Sequence, residues 1–300
     1  MINSLHQRSE FLKPKHWLVF ILLGTIWSSS FLWIKIAVSE VGPMTLVAFR
    51  VLFGLLFAGG AVFIQRVEWP RDRKTWTSFI IIGITSVAIP FFLISWGEQV
   101  IDSAVASILN ATVPLFTIVI AHLYLHDDKM TAQKVIGLLV GFVGVVILMS
   151  EDLHASLGSL LGQGAVVLAS LFYAGSAVYA RRTTAHASGL VRGAAPLVSA
   201  TALMWIVAPI AESPFQIPQL PITWIALLWL GVLGSGLALI LNYYLIHEIG
   251  PTRATMVTYV FPLGGVVLGV LFLNEHLSWQ VLAGAVLIIS SLVVVNWKKQ

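Results

Sequence analysis

Two charged residues of this chain sit where a charge needs a reason. Arg50 follows Thr45-Leu-Val-Ala-Phe inside one long apolar stretch, and Glu98 follows Ile94-Ser-Trp-Gly at the end of another. A guanidinium there can hold a carboxylate or another anion, and a carboxylate there can take up a proton or a substrate amine. Either charge costs on the order of several kcal/mol in hydrocarbon unless it is paired or hydrated. Arg50 lies roughly 9 Å into its stretch at 1.5 Å per residue, and Glu98 comes to a comparable level. The two are therefore expected to face one vestibule and to pair, either as a salt bridge locking two helices or as a group that couples substrate or proton.

A second, more diffuse set is polar or aromatic: Trp27, Ser30, Trp96, Asn110, Tyr173, Ser176, Asn242, Tyr243 and Tyr259. Aromatic walls with a few amides and hydroxyls suit a mid-sized organic molecule with an apolar portion, although helix packing or an interfacial aromatic belt accounts for any one of them equally well. Pro90, Pro114, Pro196 and Pro262 fall inside apolar stretches, where each removes a backbone donor and bends its helix. Pro114 and Pro262 are the candidate gate hinges. Lys35 and Arg192, close to segment ends, read as an interfacial snorkelling side chain and an interfacial anchor.

Other chemistries lack their residues. The chain has no Cys, so no disulfide and no thiolate nucleophile or metal ligand. It contains no His-Glu-x-x-His, no Gly-x-Ser-x-Gly and no Gly-x-x-x-x-Gly-Lys-Ser/Thr. An intramembrane hydrolase and an ATP-driven pump are both disfavoured, and no catalytic residue, metal or cofactor is expected. Rings of like charge, as a channel would use, do not occur along any stretch.

The elements that must position these residues are plain in the composition. Of 300 residues, 58% are hydrophobic and 10% charged, with a mean hydropathy of +0.92, outside the range of soluble domains. Ten apolar segments, near 16–38, 44–65, 75–96, 101–124, 132–150, 159–180, 189–211, 222–245, 251–273 and 279–297, are each long enough to cross about 30 Å of hydrocarbon. Lys and Arg fall beside alternate connections: Arg8, Lys13 and Lys15, Arg66 to Lys74, Lys129 and Lys134, Arg181 and Arg182, Arg253, Lys298 and Lys299. The intervening ones carry Glu40, Asp102, Glu151, Asp152, Glu212 and Glu275 instead. Basic residues stay cytoplasmic, so both termini, including a tail over 1–15, are predicted to be cytoplasmic. The basic excess lies where orientation and anionic lipid explain it, which leaves nucleic acid outside the expected partners and the bilayer among them.

The chain also repeats itself. Residues 104–127 slide without a gap onto 252–275, pairing Ala106 with Ala254, Pro114 with Pro262, Leu115 with Leu263 and Asp127 with Glu275. Trp27-x-x-Ser30-x-x-Trp33-x-Lys35 likewise answers Tyr173-x-x-Ser176-x-x-Tyr179-x-Arg181. Five segments per half make the second half inverted with respect to the first, the symmetry that lets one fold open a midplane site to either side. The expected architecture is an all-α polytopic membrane protein of ten transmembrane helices, with one repeat over 16–150 and its inverted partner over 159–297.

Gly24-Thr-Ile-Trp-Ser-Ser-Ser-Phe-Leu-Trp-Ile-Lys35, Ala48-Phe-Arg50, Pro114-Leu115 running to Asp127, and Phe261-Pro-Leu263 running to Asn274-Glu275 and Gly284 resemble the drug/metabolite transporter superfamily, in particular its EamA-type ten-span members, over residues 16–297. The chain departs from that pattern at His126-Asp127-Asp128, where members carry Gly-Glu. The resemblance implies a secondary-active or facilitative carrier in the cell inner membrane, exporting amino acids or aromatic and amphipathic compounds by alternating access. It also implies a central cavity enclosed by the first, third, fourth, sixth, eighth and ninth spans. A lipid or lipid-headgroup flippase and a sugar-phosphate or nucleotide-sugar exchanger remain open on the same fold. A proton is the expected coupling ion, with Glu98 its candidate carrier. Gly137-x-x-x-Gly141 and Gly265-x-x-x-Gly269 allow close helix contact within one subunit, so a monomer is expected and a homodimer permitted.

Overall fold

In the computed structural model, residues 14–124, 130–150, 157–249 and 254–296 are described. Most of the tail, Asp127, Glu151, Asp152, Arg253 and the terminal lysines lie outside them. The described residues form ten helices and no strand. They are α1 (Pro14–Val38), α2 (Pro43–Ile64), α3 (Arg73–Ile82, Gly83–Ala88 and Ile89–Gly97), α4 (Ser103–Asn110 and Val113–Tyr124) and α5 (Ala132–Met149). The second half contains α6 (Leu157–Thr183), α7 (Gly189–Ala211), α8 (Pro221–Leu228, Trp229–Leu237 and Ala238–Ile249), α9 (Thr255–Tyr259 and Val260–Leu273) and α10 (Trp279–Asn296). Eight are long and apolar enough to span a bilayer, and the described apolar parts of α9 and α10 are somewhat shorter.

The interruptions follow from side chains that an unbroken helix cannot take. In an α-helix a proline ring meets the carbonyl four residues earlier. Ahead of Pro90, α3 widens into a π-helix over Gly83–Ala88, and ahead of Pro114, α4 breaks at Ala111 and Thr112. The matching Pro262 is preceded by the 3-10 turn Thr255–Tyr259. In α8 no proline intervenes, but Trp229–Leu237 is π-helical and holds Gly231, Gly234 and Gly236. Ser235 Oγ there donates to the Leu230 carbonyl at 2.9 Å. Each break thus has a counterpart in the other half, 144 to 149 residues on.

The two π-helical segments are where the halves cross. A Cβ on Gly83 would strike the Pro196 carbonyl and Ser199 of α7, and one on Gly231 would meet the Arg50 carbonyl and Phe53 of α2. Gly83 and Gly231 are 148 residues apart, Arg50 and Pro196 146, and Phe53 and Ser199 146. The third helix of one half therefore packs on the second helix of the other through matched glycines.

On the acidic face, carboxylates from one half close helix ends in the other. Glu212, just past α7, accepts from Met44 N at 2.7 Å, Thr45 N at 2.8 Å and Thr45 Oγ1 at 2.7 Å at the start of α2. Glu275 accepts from Ser103 N at 2.8 Å and Ala104 N at 3.0 Å at the start of α4. It is aimed there by Asn274, whose left-handed backbone (φ 55°) ends α9. Glu40 accepts from Gln219 N and Leu220 N ahead of α8. A helix start carries orphan N–H groups and a partial positive charge, and a carboxylate answers both. Gly42 and Gly269 leave room for the Glu212 and Glu275 carboxylates.

The basic face has lighter links. Thr75 Oγ1 lies 2.9 Å from His186 Nε2, and His16 Nε2 is 3.5 Å from Glu248. Asp72 caps α3 by accepting from Thr75 N at 2.7 Å, and that backbone hydrogen bond holds its carboxyl below the usual range.

Lys35 does not snorkel to water. Its Nζ donates to the carbonyls of Glu98 and Ile101, each at 2.7 Å, and so caps the end of α3. The glycine pairs are internal contacts: Gly141 faces Leu115 and Ser291, Gly144 the Gly284 carbonyl, Gly265 Ser107, and Gly269 Glu275.

These contacts predict the pattern of glycine tolerance. Gly265→Ala and Gly284→Ala should lower the thermal midpoint of detergent-purified protein, since overpacking costs about 1–3 kcal/mol. Gly60→Ala, with open space around its Cβ, should leave it unchanged; equal midpoints for all three would contradict the packing described.

Candidate functional site

Between the halves lies a cavity with about 130 Å³ of space for the centre of a water molecule, far more than the roughly 10–15 Å³ that one water requires. Its walls repeat with the chain. Trp27 and Tyr173, Ser30 and Ser176, Phe31 and Ala177, and Ile34 and Ala180 all line it, each pair 146 residues apart. Phe91 and Leu239, Ile94 and Asn242, Asn110 and Thr258, and Val113 and Phe261 do so at 148. The cavity is thus built from equivalent positions of α1 and α6, α3 and α8, and α4 and α9.

Local structure explains why polar residues are tolerated there. Asn110 and Thr258 stand at the breaks ahead of the paired prolines, where carbonyls lose their helical donors. Thr112 Oγ1 donates to the Leu109 carbonyl at 2.6 Å, and Ser170 Oγ donates to Asn110 Oδ1 at 3.2 Å. Trp27 Nε1 donates to the Gly234 carbonyl at 3.0 Å, in the π-helical part of α8. Ser176 Oγ donates to Thr85 Oγ1 at 2.6 Å, in the π-helical part of α3. Phe261 meets Trp27 edge to face, with ring centres 6.0 Å apart, and tilts against Phe31 at 5.9 Å.

Arg50 and Arg192 bring α2 and α7 into the wall, two helices beyond the six expected. Arg50, 4% exposed, donates from Nε to Ser235 Oγ at 3.0 Å, and its Cζ lies 3.6 Å from the centre of the Phe91 ring. Arg192, 3% exposed, lies over Tyr243 with Cζ 4.7 Å from the ring centre, and its Nε is buried without a hydrogen-bond acceptor among the described residues. It is not the interfacial anchor its place near a segment end suggests, because α8 packs on α7 at that level, Ile240 against Gly193 and Tyr243 against Arg192. Among the described residues, no Asp or Glu lines the cavity.

Seven of the polar and aromatic candidates share this site: Trp27, Ser30, Asn110, Tyr173, Ser176, Asn242 and Tyr243. Trp96 is 36% exposed and lies outside it, as do Tyr259 and Glu98. The expected Arg50–Glu98 ion pair is not formed. Glu98 is fully buried at the end of α3, and neither of its carboxylate oxygens has a hydrogen-bond partner among the described residues, while Arg50 has turned to Ser235 and Phe91. Phe261 and Thr258 also line the site and are not among the sequence candidates, although adding 148 to Val113 and Asn110 finds both. Arg192 left no comparable signal. Among the described residues no group of three or more His, Asp or Glu could hold a metal.

Known proteins place the chain. It is 24% identical to YoaV, an uncharacterized transporter of Bacillus subtilis (strain 168), over 280 residues, covering 90% of this chain and 94% of that one. It is 28% identical to YedA, an uncharacterized inner membrane transporter of Escherichia coli (strain K12), over 258 residues, covering 85% and 82%. A solved crystal structure shares the fold with a TM-score of 0.70 at 19% identity, over 94% of this chain and 97% of that one. The model of the EamA-like transporter family matches residues 15–150 and again 160–297. With both halves matched, this multi-pass membrane chain belongs to the EamA-like transporter family.

Proposed function

We propose that this transporter works as a secondary-active or facilitative carrier, moving a small organic metabolite with an apolar portion through the cavity by alternating access, in the direction of export. The observation that carries the reading is the cavity wall. Residues at constant spacing in two inverted repeats surround one site, so exchanging the conformations of the repeats exposes that site first to one face and then to the other. Pro114 and Pro262 serve as hinges in this reading, because each follows a break in its helix at the level of the cavity. The relatives are named as transporters, which points away from an enzyme. With no P-loop in the chain, the driving force is a solute or ion gradient.

Glu98 is the coupling group in this proposal. A wholly buried carboxylate whose oxygens have no hydrogen-bond partner is expensive when charged, so its protonation is tied to any movement of α3 that hydrates it. Its neighbours are Lys35, which holds the Glu98 backbone carbonyl, and at longer range Glu275 and Arg50. In proteoliposomes carrying the wild-type protein, an imposed pH gradient should accelerate uptake of the transported solute. Glu98→Gln should keep a folded, monodisperse protein and lose that acceleration; a variant that still responds to the gradient would remove Glu98 from the coupling step. Scrambling of labelled lipid in the same vesicles without solute uptake would favour a flippase instead.

We also propose that the chain lies in the cytoplasmic membrane with both termini cytoplasmic, as its basic connections indicate. Because the sequence has no Cys, single substitutions report orientation cleanly. Ser39→Cys, exposed beyond α1, should react with an impermeant maleimide on intact cells, and Arg71→Cys, exposed ahead of α3, only after permeabilisation. The reverse result would invert the topology.

A further inference from the structure

We propose that the cavity is built for an organic oxyanion, of the aryl-carboxylate kind, whose acidic group is held by Arg192 near one end and by Arg50 toward the other. This rests on the carrier reading above and narrows its substrate. An amine or other organic cation does not fit these walls.

The inference starts from uncompensated charge. Among the described residues, two guanidiniums face the cavity and no carboxylate does. Among the described residues, neither is within ion-pair distance of an Asp or Glu. What each has instead is an aromatic ring, Phe91 for Arg50 and Tyr243 for Arg192. A cation over a ring recovers part of its lost hydration, but the ring carries no charge and accepts none of the guanidinium's N–H donors in their plane. The buried, acceptor-less Nε of Arg192 is the plainest sign that a partner is missing. A carboxylate supplies both the charge and the forked acceptor that a guanidinium binds best. The remaining wall, with Phe261 against both Trp27 and Phe31, suits a flat apolar body rather than a bare inorganic ion.

The two arginines are placed as successive holders. Trp205 Nε1 donates to the Ala48 carbonyl at 3.0 Å, which sets the register of α7 on α2. Arg192 comes thirteen residues before Trp205 and Arg50 two after Ala48, so their backbones are roughly 15–20 Å apart along the helix axes. A small anion engages one guanidinium at a time. Each belongs to the second helix of its repeat and rests on a ring of the third, so the arrangement is repeated at both ends of the path. The strict equivalents of Arg50 and Arg192 are Pro196 and Leu46, so the guanidiniums are about one turn away from exact symmetry, unlike the paired wall.

The test uses one ring system with three charges: indole-3-acetate, tryptophan and tryptamine, with binding read by thermal shift of the purified protein and transport by counterflow in proteoliposomes. Indole-3-acetate should bind saturably and exchange, while tryptamine should do neither. Arg192→Gln and Arg50→Gln should each weaken its binding by about ten- to a hundredfold, and Arg192→Lys should recover part of the loss. Size-exclusion profiles separate a misfolded variant from one that has lost the site. Stronger binding of tryptamine or tryptophan, or unchanged binding in well-folded Arg192→Gln, would overturn the anion assignment while leaving a carrier in place. Absence of binding by indole-3-acetate and by a wider panel of alkyl carboxylates and sugar phosphates would also overturn it. Failure of every solute in the counterflow assay would count against the carrier reading itself.

Discussion

Inside a bilayer a backbone N–H or C=O left without a partner has no water to fall back on, and this requirement governs where the fold can bend. Its helices break or widen where side chains of the opposite half, or a nearby hydroxyl, take over the freed groups. Trp27 serves the Gly234 carbonyl in α8, and Thr112 serves that of Leu109 in α4. The same demand at helix starts places Glu212, Glu275 and Glu40 across the repeat boundary. Irregular backbone and polar side chains therefore gather between the halves, and a cavity with polar groups in its wall results from satisfying that one requirement. Among the described residues, the acidic face is linked by three such carboxylates and the basic face by a hydroxyl–imidazole contact and a histidine–glutamate pair. The two faces thus differ in the chemistry of the contacts that join the halves.

Symmetry makes the wall, and departures from it make the site directional. Trp27 answers Tyr173 and Ser30 answers Ser176, so the two repeats offer similar surfaces to a solute. Phe91 faces Leu239 and Ile94 faces Asn242 at equivalent positions, so the two surfaces are not interchangeable. A charged residue on α2 and another on α7, each a turn from its symmetric place, add a positive field without filling the wall.

Much of this was legible in the chain. The ten segments follow from apolar length, and their ends lie within a few residues of the helices, because proline, glycine and charge mark the boundaries. The spacings of the two repeat matches, 148 for Pro114 with Pro262 and 146 for Trp27 with Tyr173, together find most of the cavity wall, since a repeat fixes which faces of its helices turn inward. Lateral position was harder to read. Depth along the membrane put Arg50 and Glu98 at one level, but only packing decides that Arg50 turns to Ser235 and Phe91 while Glu98 stays apart. Arg192 looked interfacial for the same reason: four residues into α7 it is near the helix end, yet α8 packs on its helix there. Lys35 could have reached water by length alone, and the carbonyls at the end of α3 proved nearer.

In the proposed cycle one cavity is reached from both faces in turn. Ala177, half-buried on the cavity wall, offers a direct measurement in a chain without native cysteine. An Ala177→Cys protein in right-side-out and inverted vesicles would be exposed to an impermeant thiosulfonate reagent, and the rate of modification followed from each side. Alternating access predicts modification from both sides, with a saturating solute on one face slowing the reaction from either. Modification from one face alone under every condition would contradict it.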